Sequence, residues 1–179
     1  MSSKHAPARI ELRLRELAQL FNSMDPSPFI DRDLDIEAEE FIASWARELP
    51  AGTEFELRIH LATAATPEAA AGVEEAVRHY FANRAELKSR EFRQLLRRGR
   101  TSLIVGSLFL VGCLFLGEFV GRGGGSVASV AKESFTIGGW VAMWRPLEIY
   151  LYDWWPLRDE LRLMERLSRL RLRLVPPKT

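Results

Sequence analysis

Cysteine and histidine are scarce in this sequence of 179 residues, which contains one cysteine and three histidines. The single cysteine, Cys113, cannot form a disulfide within the chain. His5, His60 and His79 show no spacing typical of a zinc site, either with one another or with Cys113. We therefore expect neither an internal disulfide nor a bound metal.

Complete nucleotide, calcium and catalytic motifs are also lacking. The glycine-rich stretch GRGGGS (121–126) has no phosphate-binding lysine and no flanking strand. The stretch DRDLD (31–35) resembles the start of a calcium loop, but no glycine follows its third acid, and Ile42 stands where the bidentate glutamate belongs. No Ser-His-Asp or Cys-His set is recognisable. We therefore expect no cofactor and no catalytic residue, and interpret the protein as non-enzymatic.

Charge is segregated along the chain and brackets an apolar region. Residues 1–87 are acidic overall, residues 88–100 are strongly basic, and the tail from Pro156 is basic again. The first apolar segment, 101–120, carries one charge, Glu118, and as a helix it would rise about 30 Å, the thickness of the hydrocarbon core. A buried helix of a soluble domain is seldom apolar on every face. This segment therefore predicts a transmembrane helix.

A second apolar stretch follows the glycine-rich turn, and its ends can be chosen in two ways. If the helix spans 127–144, Lys132 and Glu133 are submerged in the bilayer. If it spans 134–152, both charges lie at the water boundary, which is energetically favourable. We favour the second choice, so residues 101–155 are predicted to form a transmembrane hairpin of two helices.

The favoured choice puts aromatic and charged residues near one end of the hairpin. Trp154 and Trp155 would form an interfacial aromatic belt. Arg145 and Glu148 share one helix face and would pair within the inner leaflet, where ionisable groups are a functional hypothesis by default. Alternatively, Pro146 kinks or ends the helix and leaves this pair at the membrane surface.

Lysine and arginine in the short flanks predict the orientation of the hairpin. The runs before the first helix and after the second are rich in arginine, whereas the loop offers only Arg122 and Lys132. Both termini should therefore face the cytoplasm of a multi-pass inner-membrane protein. Because this orientation already accounts for the basic clusters, we expect no nucleic-acid partner.

Small residues form a stripe on each apolar helix. Small side chains let helix backbones approach closely in lipid, which predicts a tight hairpin or contacts between protomers. The predicted packing residues are Gly106, Gly117, Ser134, Gly138 and Ala142.

The flanking residues predict a small cytoplasmic domain of β-α-β-α order over 1–87. Alternating apolar residues in IELRLR and FELRIHL are typical of half-buried strands. A helix lies between the strands, and another begins at Thr66 and Pro67, a favourable cap and first helical residue. That second helix should continue into the basic juxtamembrane helix at 88–100, with an interruption considered near Asn83.

The C-terminal segment, 156–179, should return to this domain. We expect an amphipathic helix from about Leu157 to Ser168, followed by a third strand over Arg169 to Leu174, where arginine and leucine alternate strictly. The whole chain is then an α+β membrane protein. The arginines of the third strand should lie on the sheet face that carries acidic residues, because opposite charges stabilise neighbouring strands: Glu11, Glu54 and Glu56.

The stretch GGWVAMWRPLEIYLYDWWP from Gly138, with DPSPF and RDLD between Asp25 and Asp35, resembles a family of small, uncharacterised bacterial inner-membrane proteins with two helices. The resemblance implies a bacterial inner membrane and no particular activity. We expect an integral scaffold or accessory protein that binds the lipid bilayer and either further copies of itself or another membrane protein. The alternative is a subunit of an oligomeric ion channel or transporter that uses Arg145 and Glu148. A pore needs polar groups along a whole helix, and 103–116 offers only Ser107 and Cys113.

Overall fold

The computed structural model of the chain describes residues 8–29, 32–50 and 54–176. The protein is α+β, as predicted, and the β-α-β-α order and the third strand are confirmed. Predictions that concern His5, Asp31 or the last three residues lie outside the described residues. The elements in chain order are β1 (Ala8–Leu14), a 3₁₀ helix (Leu17–Leu20), α1 (Ile36–Glu48), β2 (Phe55–Leu61), α2 (Pro67–Gly121), α3 (Ser126–Ala142), α4 (Trp144–Glu148), a π-helical turn (Ile149–Asp153), α5 (Trp154–Leu167) and β3 (Arg171–Val175).

The three strands form one parallel sheet with β2 in the centre. Parallel neighbours need a crossover connection, and α1 lies in the connection between β1 and β2. Alternate side chains of the strands reach the core, so Ile10, Leu57 and Ile59 are buried. The third strand begins at Arg171, two residues later than predicted, and Leu172 lies opposite Leu57.

Helices α1 and α2 begin at polar caps. The Asp35 carboxylate accepts a hydrogen bond from the backbone N–H of Glu37 at 3.0 Å. The Thr66 hydroxyl accepts one from the N–H of Ala69 at 3.3 Å, and Pro67 is the first helical residue. Helix α2 then continues without a break through Asn83 for 55 residues, so the interruption considered there does not occur.

Helix α3 begins at Ser126, eight residues before the favoured start. It follows a turn in which Gly124 and Gly125 have positive φ angles of 68° and 91°, a conformation that glycine adopts without strain. Because the turn is complete at Gly125, the chain is free to become helical at once. The helix bounds therefore correspond to the choice 127–144 rather than to the favoured 134–152.

Helix α3 ends at Ala142 for a local reason. Pro146 has no backbone N–H, and its ring would collide with the carbonyl of the residue four positions earlier, Ala142. The chain turns at Met143 and resumes as α4, the π-helical turn and α5. The helix therefore breaks about one turn before Pro146, instead of kinking at the proline as predicted.

The chain divides into two compact units. The described residues up to Lys88 and those from Asp159 onward form one unit, called here the sheet unit. Ser89–Arg158 form the other, called here the helical unit. The core of the sheet unit contains apolar residues from its strands and helices, including Ile10, Leu20, Ile42, Leu57, Phe81 and Leu167.

Candidate functional site

Two glycines of α2 lie close to the backbone of α3. A Cβ added to Gly117 would lie 3.2 Å from the carbonyl oxygen of Lys132, and one added to Gly106 would lie 3.0 Å from that of Ala142. Between the two contacts, the residue in α2 changes from Gly117 back to Gly106, whereas its partner in α3 changes from Lys132 forward to Ala142. Helices α2 and α3 therefore run antiparallel. A Cβ at either position would press on the backbone of α3, so glycine permits this close approach, as in closely packed membrane helices.

The other predicted packing residues lie elsewhere. Gly138 has no atom within 4 Å of an added Cβ, and the hydroxyl of the exposed Ser134 donates to the Val130 carbonyl at 2.8 Å. The close contact is made by Gly139, whose Cβ would lie 2.8 Å from Leu110 Cδ1 and 3.1 Å from Cys113 Cβ. Successive residues of a helix point about 100° apart, so only one of two adjacent glycines can face the partner.

The contacts also show which residues lie at the same height along α2. Below Gly106, the next close approach is at Gly99, where an added Cβ would lie 2.9 Å from Ile149 Cγ2. Arg145 and Glu148 follow Ala142 and precede Ile149, so they lie between the heights of Gly106 and Gly99. The charge pair is therefore level with the junction between the basic run and the apolar run of α2.

Arg145 and Glu148 form an ion pair, with 2.7 Å between Nη1 and Oε2. The Asp153 carboxylate lies 3.7 Å from the same guanidinium nitrogen, a partner that the sequence did not suggest because it is two turns away. The side chains of Arg145 and Glu148 are 62% and 43% exposed, so neither belongs to a packed core in this unit.

Trp154 and Trp155 lie where the π-helical turn meets α5. Their rings are tilted against each other with centroids 4.8 Å apart. The Trp154 indole N–H donates to the carbonyl of Tyr150 at 2.8 Å, and the Arg158 guanidinium lies 5.4 Å from the Trp154 ring centroid. Such rings combine an apolar body with a polar contact, as interfacial tryptophans do.

In the sheet unit, the central strand carries a nearly buried carboxylate, Glu56, which is 6% exposed. The guanidinium Nε atoms of Arg58 and Arg173 lie 3.2 Å from its oxygens, and that of Arg9 lies 3.8 Å away. The hydrogen bond from Arg58, with the charges of Arg173 and Arg9, lowers the pKa of Glu56. Because Arg171 also lies 3.6 Å from Glu54, the predicted pairing of third-strand arginines with the acidic face is confirmed.

This polar face of the sheet is open, and we call it the arginine face. It is formed by residues that alternate with the core residues of the three strands, and many of their side chains are more than half exposed. Its charged members are Arg9, Glu11, Arg13, Glu54, Glu56, Arg58, Arg171 and Arg173, beside His60.

A second polar cluster forms hydrogen bonds between α1 and α2. Arg84 donates to both oxygens of Glu39, at 2.9 and 2.7 Å, and the Tyr80 hydroxyl donates to Glu39 Oε2 at 2.6 Å. Burial raises the pKa of Glu39, but these hydrogen bonds outweigh it and leave the pKa lowered. Burial and the bond to Glu39 both raise the pKa of Tyr80. Tyr80 therefore stays protonated and acts as a hydrogen-bond donor. The sequence did not predict this cluster, because Tyr80 appears there only as one residue of an apolar helix face.

Neither cluster resembles a reaction centre. In the described part of the chain, no group of three or more His, Cys, Asp or Glu side chains could hold a metal ion. Both carboxylates are engaged by arginines, which stabilises their charged form and makes them poor general acids or bases near neutral pH. The clusters instead join elements of the fold.

No protein-family model, no curated protein and no solved structure matches this chain. The geometry of the described residues is therefore the basis for a functional proposal. One helix among them, α2, is long and apolar enough to cross a membrane.

Proposed function

We propose that the protein is a non-enzymatic scaffold of the bacterial inner membrane, anchored by a transmembrane hairpin and acting through a cytoplasmic sheet unit. The observation that carries the proposal is the exposed apolar surface of the helical unit. Large apolar residues of α2 are exposed on every side except the one that faces α3: Leu103, Ile104, Val105, Leu108, Phe109 and Leu114. Those of α3 are Val127, Val130, Ile137, Trp140 and Val141.

Such a surface is unusual for a protein in water. Soluble monomers rarely expose contiguous apolar patches larger than a few hundred Å². The sheet unit encloses most of its large apolar residues in one core, with Met24, Ile36, Trp45 and Leu87 exposed, whereas the helical unit leaves most of its large apolar residues exposed. Lipid is the partner that suits an apolar surface on two long helices. The antiparallel contacts at Gly106 and Gly117 support a hairpin that returns to the side from which it entered.

The heights along α2 support an interfacial position for Arg145 and Glu148. If 101–120 spans the bilayer, the residues level with it are about 128–148, so the ion pair lies at the inner boundary rather than at the midplane. The channel alternative has no observation in its favour. The α2 face that meets α3 carries close-packed glycines and Cys113, and the two charges already neutralise each other.

We assign partner binding to the arginine face. Parallel sheets are normally covered on both faces, and here one face carries exposed charge instead. Its five arginines outnumber its three glutamates, which favours an acidic partner. A second copy of the chain offers such a surface on α1, where several glutamates are exposed: Glu37, Glu40 and Glu48. A contact between two different surfaces of identical chains leads to rings or open assemblies.

Cysteine labelling tests the membrane hairpin. In a Cys113→Ala background, an impermeant thiol reagent applied to intact cells should label Gly123→Cys, because the loop would lie outside. Gly123 is chosen because the positive φ angles of Gly124 and Gly125 would strain a cysteine. Ser3→Cys and Lys178→Cys should be labelled only after the cells are opened. Labelling of either terminal cysteine from outside would overturn the proposed orientation, and release of the protein from membranes by alkaline carbonate would overturn integral insertion.

Charge reversal tests the self-association. Arg13→Glu with Arg171→Glu should abolish assembly measured by native mass spectrometry in mild detergent, and Glu40→Arg with Glu48→Arg should do the same. Mixing the two variants should restore association, because each then supplies the complement of the other. The Arg171–Glu54 pair is exposed, so its loss should cost at most about 1 kcal/mol of stability. A monomeric wild-type protein, or no recovery on mixing, would overturn the second copy as partner.

A further inference from the structure

Three arginines of α2 carry charge that the described residues do not balance. Arg97, Arg98 and Arg100 are exposed, and no carboxylate within the described part of the chain forms an ion pair with them. Two other arginines of the helical unit have side-chain partners: Arg145 pairs with Glu148, and Arg158 lies over Trp154. The three thus form an unneutralised cluster, called here the arginine collar.

The direction of the collar follows from Gly99. An added Cβ at Gly99 would lie 2.9 Å from Ile149 Cγ2 and 3.3 Å from Tyr150 Cζ, so this position faces the returning chain. Adjacent helix positions point about 100° to either side of it, and Arg97 points further away still. The collar therefore spreads around the face of α2 that is turned away from the returning chain.

Aromatic residues lie at the same height as the collar. Because Gly99 contacts Ile149 and Tyr150, the exposed Tyr150 and Tyr152 are level with it, although about 50 residues separate them along the chain. The exposed apolar belt begins within a turn, at Leu103. The acidic residues at this height, Glu148 and Asp153, both lie beside Arg145. The arginine collar and the tyrosines thus share one level along the helices, and the exposed apolar belt follows directly after them.

We propose that the arginine collar binds the phosphate groups of anionic phospholipids in the cytoplasmic leaflet. This inference rests on the proposed membrane hairpin and adds a lipid preference to it. Guanidinium groups form paired, charge-assisted hydrogen bonds with phosphate oxygens, and tyrosines at headgroup height support the same leaflet position. Basic residues next to a bilayer also gain from its negative surface potential.

Quenching of tryptophan fluorescence tests this inference on the full chain. The protein would be reconstituted in vesicles of phosphatidylcholine with either brominated phosphatidylglycerol or brominated phosphatidylcholine. Wild-type protein should favour the anionic lipid. The variant R97Q/R98Q/R100Q should lose this preference by a factor on the order of 100, from three basic side chains near an anionic surface. The charge-matched control R15Q/R47Q/R169Q, which alters exposed arginines of the sheet unit outside the arginine face, should keep it.

Two further arms distinguish the lipid from other sources of phosphate and from failed insertion. Inorganic phosphate at physiological salt should not displace phosphatidylglycerol; complete displacement would overturn the lipid assignment. R97K/R98K/R100K keeps the charge that directs insertion but lacks the guanidinium fork, so it should bind several-fold more weakly than wild type. An unchanged ratio in the lysine variant would overturn the paired hydrogen bonds. Equal quenching by both lipids in a correctly oriented wild-type protein would overturn the inference while leaving the hairpin intact.

Discussion

The adjacent glycines Gly138 and Gly139 provide a matched test of the helix contact. Replacing Gly139 by alanine puts a Cβ 2.8 Å from Leu110 Cδ1, 3.1 Å from Cys113 Cβ and 3.3 Å from Leu110 Cα. The leucine methyl can rotate away, but the Cα and the cysteine Cβ cannot, so α2 and α3 must separate. The same replacement at Gly138 meets no atom within 4 Å.

The expected difference in stability between Gly138→Ala and Gly139→Ala comes from packing, because the helix propensity of alanine affects both variants equally. Alanine favours a helix over glycine by about 1 kcal/mol, and this gain is shared by both variants. Added methyl groups in well-packed contacts cost about 1–3 kcal/mol. We therefore expect Gly138→Ala to be neutral or stabilising, and Gly139→Ala to be less stable than Gly138→Ala by about 1–3 kcal/mol.

Thermal melting in a mild detergent, followed by circular dichroism, measures this difference. Gly106→Ala serves as a second disruptive variant, since its Cβ would lie 3.0 Å from the Ala142 carbonyl oxygen. If Gly138→Ala and Gly139→Ala melt at the same temperature, or if Gly138→Ala loses more stability, the glycine contact and the antiparallel register that it defines are refuted.

Three further predictions concern the charge pair, the polar cluster and the tail. Arg145→Ala, Glu148→Ala and the double variant should each melt within about 1 kcal/mol of the parent, because the pair lies at the proposed inner membrane boundary and neither side chain is enclosed by protein. A loss of about 3–5 kcal/mol in Glu148→Ala that the double variant recovers would instead indicate a buried pair. Because the pKa of folded Glu39 lies below its ordinary value of 4.5, its stabilising contribution is present above that pH and is lost as the pH falls through the lowered pKa. Acid melting of Glu39→Gln should therefore be less steep than that of the parent, and identical profiles would contradict this role. Removing Arg169 to Thr179 should destabilise the sheet unit and speed its proteolysis, since Leu170 and Leu172 are buried; unchanged proteolysis would contradict the docked third strand.

Local patterns in the sequence predicted several elements correctly. The alternation in IELRLR, FELRIHL and RLRLRLV predicted three strands, and the cap at Thr66 and Pro67 predicted the start of α2. These signals succeed because strand alternation and helix capping depend on residues a few positions apart. The prediction of a strand in the tail was correct, since β3 pairs with β2.

Features that depend on helix phase or on distant partners were less predictable. The sequence favoured Gly138 as a packing residue, but the contact belongs to Gly139, because the rotation of α3 against α2 decides which glycine is enclosed. The sequence did not predict the contacts of Glu39 with Tyr80 and Arg84, because no local pattern links these positions. It did not predict the contact of Asp153 with Arg145 for the same reason. Helix α3 starts earlier than predicted because the glycine turn ends at Gly125, whereas the charges of Lys132 and Glu133 favour a later start.

The sequence by itself determined the element types, the apolar run of α2, the segregation of charge and the alternating faces of the strands. Only the tertiary structure decided that the strands are parallel with β2 in the centre, and that Glu56 lies beneath three arginines. It also brought Gly99 against Ile149, which sets the basic run and the tyrosines at one height. The physical reason is range: periodicity and capping act between neighbours along the chain, whereas register and contact arise only when distant segments pack.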